Sequence, residues 1–390
     1  MYGYCPGWAL QWDYRKKGIL NEIRHYAADI ISLQEVETDQ FHNFFLPELK
    51  ADGYDGIFSP KSRAKTMSEN ERKYVDGCAI FYRRAKFSLE KEYLVEFNQL
   101  AMARADGSDD MLNRVMPKDN IGLAALLRTN DIAWENGLPV DSSGQVVPQR
   151  ILVCTAHIHW DPEYCDVKLI QTMMLSHELR VILDEIAESH PGYRMLMHKP
   201  KQDNVHLLLC GDFNSLPDSG VVEFLTTGRV SADHPDFKEL LGYKSCLKKI
   251  SPCDRPNEYT HSFKLASAYS SDGIIDYIFY PRSTMTPLGL LGPLANDWFR
   301  ENKNKPTDIK QNKAKENKAA KESHGKEFSM HLLRAESFQI GEESLHMKHL
   351  EPGKEPFISS FSRLYQDIQY PLVSQYATFM LIVYRFKLQI

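Results

Sequence analysis

The feature that most limits the fold of this chain is an alternation of short apolar runs with helix-like segments between residue 13 and about residue 290. Apolar residues at helical spacing over 13–26 and 167–189 predict two amphipathic helices. Strand-like runs rich in β-branched and apolar residues occupy 28–36, 75–83, 120–128, 150–160, 205–214 and 273–281. Short apolar strands separated by helices and loops are typical of a layered α/β domain.

The composition fits a soluble globular protein and excludes a globally basic one. Of the 390 residues 43% are hydrophobic and 25% are charged, and the formal net charge is −5. A polyanion would therefore need a local basic patch, for which Lys61, Arg63 and Lys65 are candidates, or bound metal ions. No signal peptide opens the chain, and the apolar segment 370–386 contains polar residues and is short for a membrane span, so we predict no membrane association.

The cysteines indicate a reducing compartment. There are seven of them, without a CxxC pair, and Cys78, Cys154 and Cys210 lie inside strand-like runs. Buried reduced thiols of this kind favour the cytosol or the nucleus as the location.

The character of the chain changes near residue 300. Residues 301–326 are dense in Lys, Asn and Glu with almost no apolar side chain, and such a segment is predicted to be disordered because it cannot bury a core. We therefore divide the chain into a domain over 1–300 and an atypical tail over 301–390.

Polar side chains end five of the predicted strands. They are Glu35, Asp76, the pair His157 and His159, the pair Asp212 and Asn214, and Asp276. Each one alone is explained by turn or cap chemistry, as in "GDFNSLPDSG" (211–220), where Asp and Asn bond to neighbouring backbone. Together they predict a polar site at the edge of a sheet, and carboxylates with an amide favour Mg²⁺ over Zn²⁺. That combination is typical of metal-assisted phosphodiester cleavage.

These motifs also resemble a known family. "LQE" (33–35), "DGCAIFY" (76–82), "GDFNS" (211–215) and "DYIFY" (276–280), in this order, resemble the exonuclease–endonuclease–phosphatase superfamily. The longer strings at 1–17, 59–82, 156–174 and 215–225 are similar to its deadenylases of the carbon catabolite repressor four type, which shorten mRNA poly(A) tails from the 3′ end within the carbon catabolite repressor four–Not complex. The resemblance covers about residues 1–300 and implies a four-layer α/β sandwich of the DNase I-like type, to which the composition adds a disordered C-terminal tail.

The resemblance also implies roles for individual residues. A site with two Mg²⁺ ions would use Glu35, Asp212 and Asp276 as metal ligands. The catalytic residues would be Asp212, His157, Asn214 and Asp276, and the substrate would contact Glu35, Glu71, His157, Pro162 and Asn214. The implied function is a poly(A)-specific 3′–5′ exoribonuclease that releases 5′-AMP, with poly(A) tails and deadenylase complex subunits as partners. His159 and Trp160 are interpreted as packing residues.

The sequence departs from the family pattern in three places. The family's first strand, which ends in Asn-Val-Leu, and the leucine-rich repeats that dock the nuclease are not found here. The Asn-Tyr-Thr segment and the Phe that bind the 3′ adenine are missing before Asp276. No Ser-Asp-His motif occurs, and Ser323-His324 is a chance-level substitute.

These departures leave alternatives open. The first is a catalytically inactive isoform or fragment that acts as an RNA- or protein-binding competitor and shows no measurable deadenylation. The second is a relative that hydrolyses a small phosphate ester, against which the strings at 59–73 and 159–168 argue. Loss of two interior strands also predicts an aggregation-prone or partly folded protein, unless the apolar C-terminus takes the place of one of them.

Overall fold

The computed structural model describes residues 8, 11–133, 144–146, 148–189, 205–238, 242–251, 257–269 and 274–287, and the backbone of four short strands between 332 and 385. The helices are α1 (Trp12–Tyr26), α2 (Thr38–Gln40), α3 (Leu46–Ala51), α4 (Glu69–Arg72), α5 (Phe97–Ala103), α6 (Cys165–Ser189), α7 (Gly220–Thr227) and α8 (Lys244–Ile250). Shorter π turns lie at Phe41–Phe45 and Met111–Val115, and 3-10 turns at Ser62–Thr66, Pro162–Tyr164 and Pro235–Phe237.

The strands follow the same chain order. They are β1 (Ile30–Glu37), β2 (Tyr54–Pro60), β3 (Asp76–Arg83), β4 (Phe87–Glu96), β5 (Ile121–Thr129), β6 (Arg150–His157), β7 (Val205–Asp212), β8 (Arg229–Ser231), β9 (Glu258–Thr260), β10 (Leu265–Ser267), β11 (Asp276–Pro281), β12 (Thr286–Pro287), β13 (Leu332–Leu333), β14 (Phe338–Gln339), β15 (Tyr376–Ala377) and β16 (Leu381–Arg385).

Two large sheets form the centre of the molecule. The first has the order β13-β16-β1-β3-β2, and the second has the order β10-β11-β7-β6-β5-β4. Apolar side chains from both sheets, such as Ile30, Ile80, Val153 and Leu208, form one buried cluster between them. The two sheets therefore pack face to face over a shared core.

Helices cover the outer face of each sheet. Leu20 and Ile23 of α1 pack with Phe45 and with strand residues such as Phe81 against the first sheet. The long helix α6 buries Met173, Leu179 and neighbouring apolar residues against the second sheet. The order of layers is helix, sheet, sheet, helix, and this confirms the predicted four-layer α/β sandwich.

The predicted elements agree with the structure where the apolar pattern is continuous. Both predicted helices and all six predicted strands are present, with ends that differ by a few residues. The sequence did not indicate β2 or β4, because β2 contains Asp, Gly and Pro and the edge strand β4 carries exposed charged residues. Cys78, Cys154 and Cys210 are buried free thiols whose pKa is raised by burial, as expected for core cysteines.

The predicted disorder of 301–326 and the domain boundary near residue 300 lie outside the described residues, and both stay predictions. Within the described part of the chain, no helix is long and apolar enough to cross a bilayer.

The apolar end of the tail takes part in the first sheet. Strand β16 pairs with β1 in parallel, with Ile30 opposite Leu381 and Gln34 opposite Arg385, and β13 pairs with its other side. It also approaches β7 and β11 of the second sheet. The C-terminal segment is therefore an interior strand of the sandwich.

Proline at two neighbouring positions of β16 tests this pairing. Proline has no N–H to donate, and adjacent strand residues direct their N–H groups to opposite sides, so Ile382→Pro with Val383→Pro removes at least one donor that faces β1. Each buried partner that is left without a hydrogen bond costs about 1–3 kcal/mol of unfolding free energy. Denaturant unfolding should show this loss, while the swap Ile382→Val with Val383→Ile, which keeps both N–H groups, should change stability much less. Equal transitions for both variants would contradict the pairing.

A second stability prediction concerns His206 in β7. Burial lowers the pKa of His206 from 6.5 to about 4, and its Nδ1 lies 3.2 Å from Thr284 Oγ1. Between pH 6.5 and 4 the unfolded chain therefore binds a proton that the folded chain does not, so stability falls as the pH falls through this window. The contribution of one such group is about 1.4 kcal/mol per pH unit.

Denaturant unfolding at several pH values measures the effect. His206→Gln should flatten the acid limb of the stability profile, whereas the exposed His42→Gln should not. Parallel profiles for the wild type and His206→Gln would show that His206 does not titrate in this way.

Candidate active site

Three neighbouring strands of the second sheet bring His157, Asp212 and Asp276 side by side. Strand β6 runs parallel to β7 with His157 opposite Asp212, and β11 runs antiparallel to β7 with Asp276 opposite Asp212. All three side chains are buried. Residues directly opposite each other on paired strands have Cα atoms roughly 4.5–5.5 Å apart, so strand register alone assembles this group.

Glu35 reaches the same place from the first sheet. Its backbone has a φ of +56°, and the pairing of β1 with β3 shifts register between Leu33 and Val36, as in a β-bulge. Bulges re-aim side chains, and Glu35 Oε1 lies 3.9 Å from His157 Nε2, which lies 3.9 Å from Asp212 Oδ2. The imidazole therefore stands between two carboxylates that come from different sheets.

Asn214 is held in a left-handed conformation at the end of this cluster. Its φ is +48°, its backbone N–H donates to Asp212 Oδ1 at 2.8 Å, and its Nδ2 donates to the Ile158 carbonyl at 2.9 Å. The Lys168 ammonium donates to the Asn214 carbonyl at 2.7 Å. These contacts fix the backbone of the turn that follows β7.

Lys168 is a site-supporting residue that the sequence did not reveal. It is only 7% exposed on helix α6, where desolvation lowers its pKa and nearby acids, including Asp212, oppose that effect. A buried lysine usually needs a partner, and here the partner is the carbonyl of a site residue. The only signal in the sequence is a lysine among buried positions early in a long amphipathic helix.

Gly211 lets β7 approach β6 directly below the cluster. Its φ is +139°, and a Cβ at this position would lie 2.0 Å from the Ala156 carbonyl oxygen. Only glycine satisfies both constraints without moving a strand. The "GD" of the motif therefore has a steric reason as well as a chemical one.

A buried amide network holds the end of β6. Asn120 Nδ2 donates to the His157 carbonyl at 3.0 Å, and Gln171 Nε2 donates to Asn120 Oδ1 at 3.3 Å. The backbone N–H of His159 donates to Gln171 Oε1 at 3.0 Å. Helix α6 thereby positions the turn that carries His157.

The basic patch proposed from the sequence is neutralised within the protein. Lys61 and Arg63 both bind Asp76, at 2.7 and 2.8 Å, and Lys65 binds Glu96. Burial on its own raises the pKa of Asp76, but Lys61 and its other partners lower it below the usual value. Asp76 thus organises the cations, and the patch carries less net charge than expected from the sequence.

The remaining predicted residues lie outside this cluster of contacts. Glu71 is exposed and its carboxylate binds Ser68 in a helix-capping box, which lowers its pKa. Pro162 is exposed at the start of the 3-10 turn after β6. His159 is buried against Tyr164, as predicted for a packing residue, but the packing role expected for Trp160 is wrong, because Trp160 is 65% exposed.

The donor set fits a hard cation in its chemistry. Glu35, Asp212, Asp276 and Asn214 offer oxygen ligands, which Mg²⁺ prefers. Among the described residues, however, no three acidic, histidine or cysteine side chains are already arranged as a metal-binding group. The carboxylates are close, but their final coordination geometry is not preformed.

Comparison with known proteins shows the family of this chain. The model of the Endonuclease/Exonuclease/phosphatase family matches residues 2–299. The chain belongs to this family. Strands β13 to β16 lie beyond the matched region.

Two curated relatives are similar over most of the chain. It is 52% identical over 320 residues to CCR4-NOT transcription complex subunit 6-like-B of Xenopus laevis, covering 77% of this chain and 56% of that protein. It is 41% identical over 320 residues to the CCR4-Not complex 3'-5'-exoribonuclease subunit Ccr4 of Mycosarcoma maydis, covering 77% of this chain and 44% of that protein. The chain thus spans about half the length of the curated relatives it matches.

A solved structure shares the fold. The crystal structure of ANGEL2, a 2',3'-cyclic phosphatase, in complex with adenosine-2',3'-vanadate matches with a TM-score of 0.55 and 24% identity, covering 77% of this chain and 84% of that one. At this identity the likeness supports the fold alone.

Replacement of Lys168 tests the support of the turn. Lys168→Met should leave the Asn214 carbonyl without its donor, while removal of a buried charge offsets part of the loss in global stability. We expect at least 10-fold faster amide hydrogen exchange at 213–215, because the turn loses one of its three anchors. Lys168→Arg should restore slow exchange, and the exposed Lys17→Met should have no effect. Unchanged exchange in Lys168→Met would show that the turn does not depend on this contact.

Proposed function

We propose that this chain is a divalent-metal-dependent 3′–5′ exoribonuclease that shortens poly(A) and releases 5′-AMP. The observation that supports it is the convergence of Glu35, His157, Asp212 and Asp276 from two sheets at one edge of the sandwich. The relatives named as subunits of a CCR4-NOT complex, one of them as its 3'-5'-exoribonuclease subunit, support this choice among the reactions of the family.

The proposed roles follow from the positions of the groups. Glu35, Asp212 and Asp276 would hold two Mg²⁺ ions, which neutralise phosphate charge and activate a water molecule when bound. His157 lies between two of these carboxylates, where an imidazole N–H can donate to a phosphate oxygen and stabilise developing charge. Asn214 is already fixed by three hydrogen bonds, two to its backbone and one from its side-chain amide, so little ordering is needed when the substrate binds.

Substrate contacts and partners are also proposals. Glu71 is exposed on α4, before β3, and Pro162 is exposed on the turn after His157, and we assign both to the terminal nucleotides. By analogy with the names of its relatives, the chain would act with other subunits of a CCR4-NOT complex in the cytosol or nucleus.

The experiment is cleavage of 5′-labelled oligo(A) by the purified chain with Mg²⁺. Asp212→Asn should reduce the rate at least 10²-fold, because the central carboxylate can then neither hold a cation nor accept a proton. EDTA should abolish cleavage, and the remote, exposed Asp184→Asn should retain it.

The opposite outcome is equally informative. If the folded chain releases no AMP, or if release does not depend on Asp212, the proposed activity is wrong. Retained RNA binding without cleavage would then support the inactive competitor described above.

A further inference from the structure

Trp160 is an exposed indole beside the active site. It is 65% exposed, whereas ten large aromatic side chains of the described chain are fully buried. It lies three residues after His157 and two residues before Pro162, on the turn that Gln171 holds through the His159 N–H. An exposed tryptophan on an anchored turn is available to stack against a planar ring of a ligand.

The surroundings of Trp160 combine aromatic and cationic groups. Its ring lies 6.2 Å from the His159 ring, which packs edge-on against Tyr164. The Lys118 ammonium lies 3.9 Å from the centre of the Tyr164 ring, and the Arg114 guanidinium lies 4.7 Å from it. Asp161 and Glu163 contribute acidic groups to the same turn, but Asp161 caps the Glu163 N–H.

We propose that Trp160 is a stacking platform for a base of the single-stranded RNA substrate, with Lys118 beside it for the adjoining phosphate. The inference rests on the proposed function for the identity of the substrate. Trp160 then holds the strand by its base face while the neighbouring end enters the cluster at His157.

The position of Trp160 three residues after His157, with the Lys118 ammonium against Tyr164 of the same turn, favours nucleic acid as the occupant. The chain has a net charge of −5, and Lys61, Arg63 and Lys65 are ion-paired internally, so long-range attraction of RNA is weak. Stacking on an aromatic ring does not depend on net charge and accepts any base. An exposed indole joined through His159 and Tyr164 to the Lys118 ammonium supplies this kind of contact, whereas Arg114 is paired with Asp166.

The test measures binding of fluorescein-labelled A10 RNA by anisotropy, with Mg²⁺, in an Asp212→Asn background that suppresses cleavage. Trp160→Ala should weaken binding about 5-fold to 150-fold, the range that stacking on one aromatic side chain supplies. Trp160→Phe should retain most of the affinity, whereas Trp160→Leu, which is apolar without a ring, should not. Ile132→Ala is the matched control, because Ile132 is 64% exposed beyond the end of β5, at the sheet edge opposite His157.

The outcomes separate this inference from the proposed activity. A ring-dependent loss of RNA binding supports the platform even if the parent chain cleaves nothing. Equal affinities for Trp160→Ala and the parent, equal losses for Trp160→Phe and Trp160→Leu, or no RNA binding by the parent would overturn it, and the exposed indole would then belong to a protein contact. Matching thermal unfolding curves show that the Trp160 variants remain folded.

Discussion

The packing of one sheet on the other brings the residues of the candidate active site together. Glu35 belongs to the first sheet, whereas His157, Asp212 and Asp276 belong to the second. The apolar layer between the sheets fixes their separation, and a buried hydrogen bond of 2.7 Å from Gln34 Nε2 to Thr155 Oγ1 joins them next to the site. A strand rises by about 3.3 Å per residue, so a shift of β1 by one residue relative to the second sheet would separate Glu35 from His157.

Two residues of the site have backbone conformations that cost conformational free energy. Glu35 and Asn214 are non-glycine residues with positive φ, and such conformations cost roughly 1–3 kcal/mol each. The structure compensates with contacts that pin them: the bulge in β1 for Glu35, and Asp212, Ile158 and Lys168 for Asn214. Strained backbone that is held in place by several contacts is typical of functional sites. Such contacts keep the side chains in position before the substrate binds.

The first sheet depends on residues that are distant in sequence. Strand β1 lies between β3, which follows it by about 40 residues, and β16, which lies some 350 residues further along the chain. The family match ends at residue 299, so β16 is a contribution of this chain's own tail. Its parallel pairing with β1 places it against the strand that carries Glu35, and this couples the C-terminus to the site through the sheet.

The sequence by itself determined the layered α/β class, the core strands and the identity of the acids, because apolar periodicity and strand-end polar residues are local patterns. Only the tertiary structure decided which of those residues meet. Strand register places Asp276 opposite Asp212. The ion pairs with Asp76 neutralise the positive charges of Lys61 and Arg63. Trp160 is exposed and Lys168 is buried, which is the reverse of what is usual for an indole and an ammonium. Burial depends on which elements pack around a residue and not only on its own hydropathy.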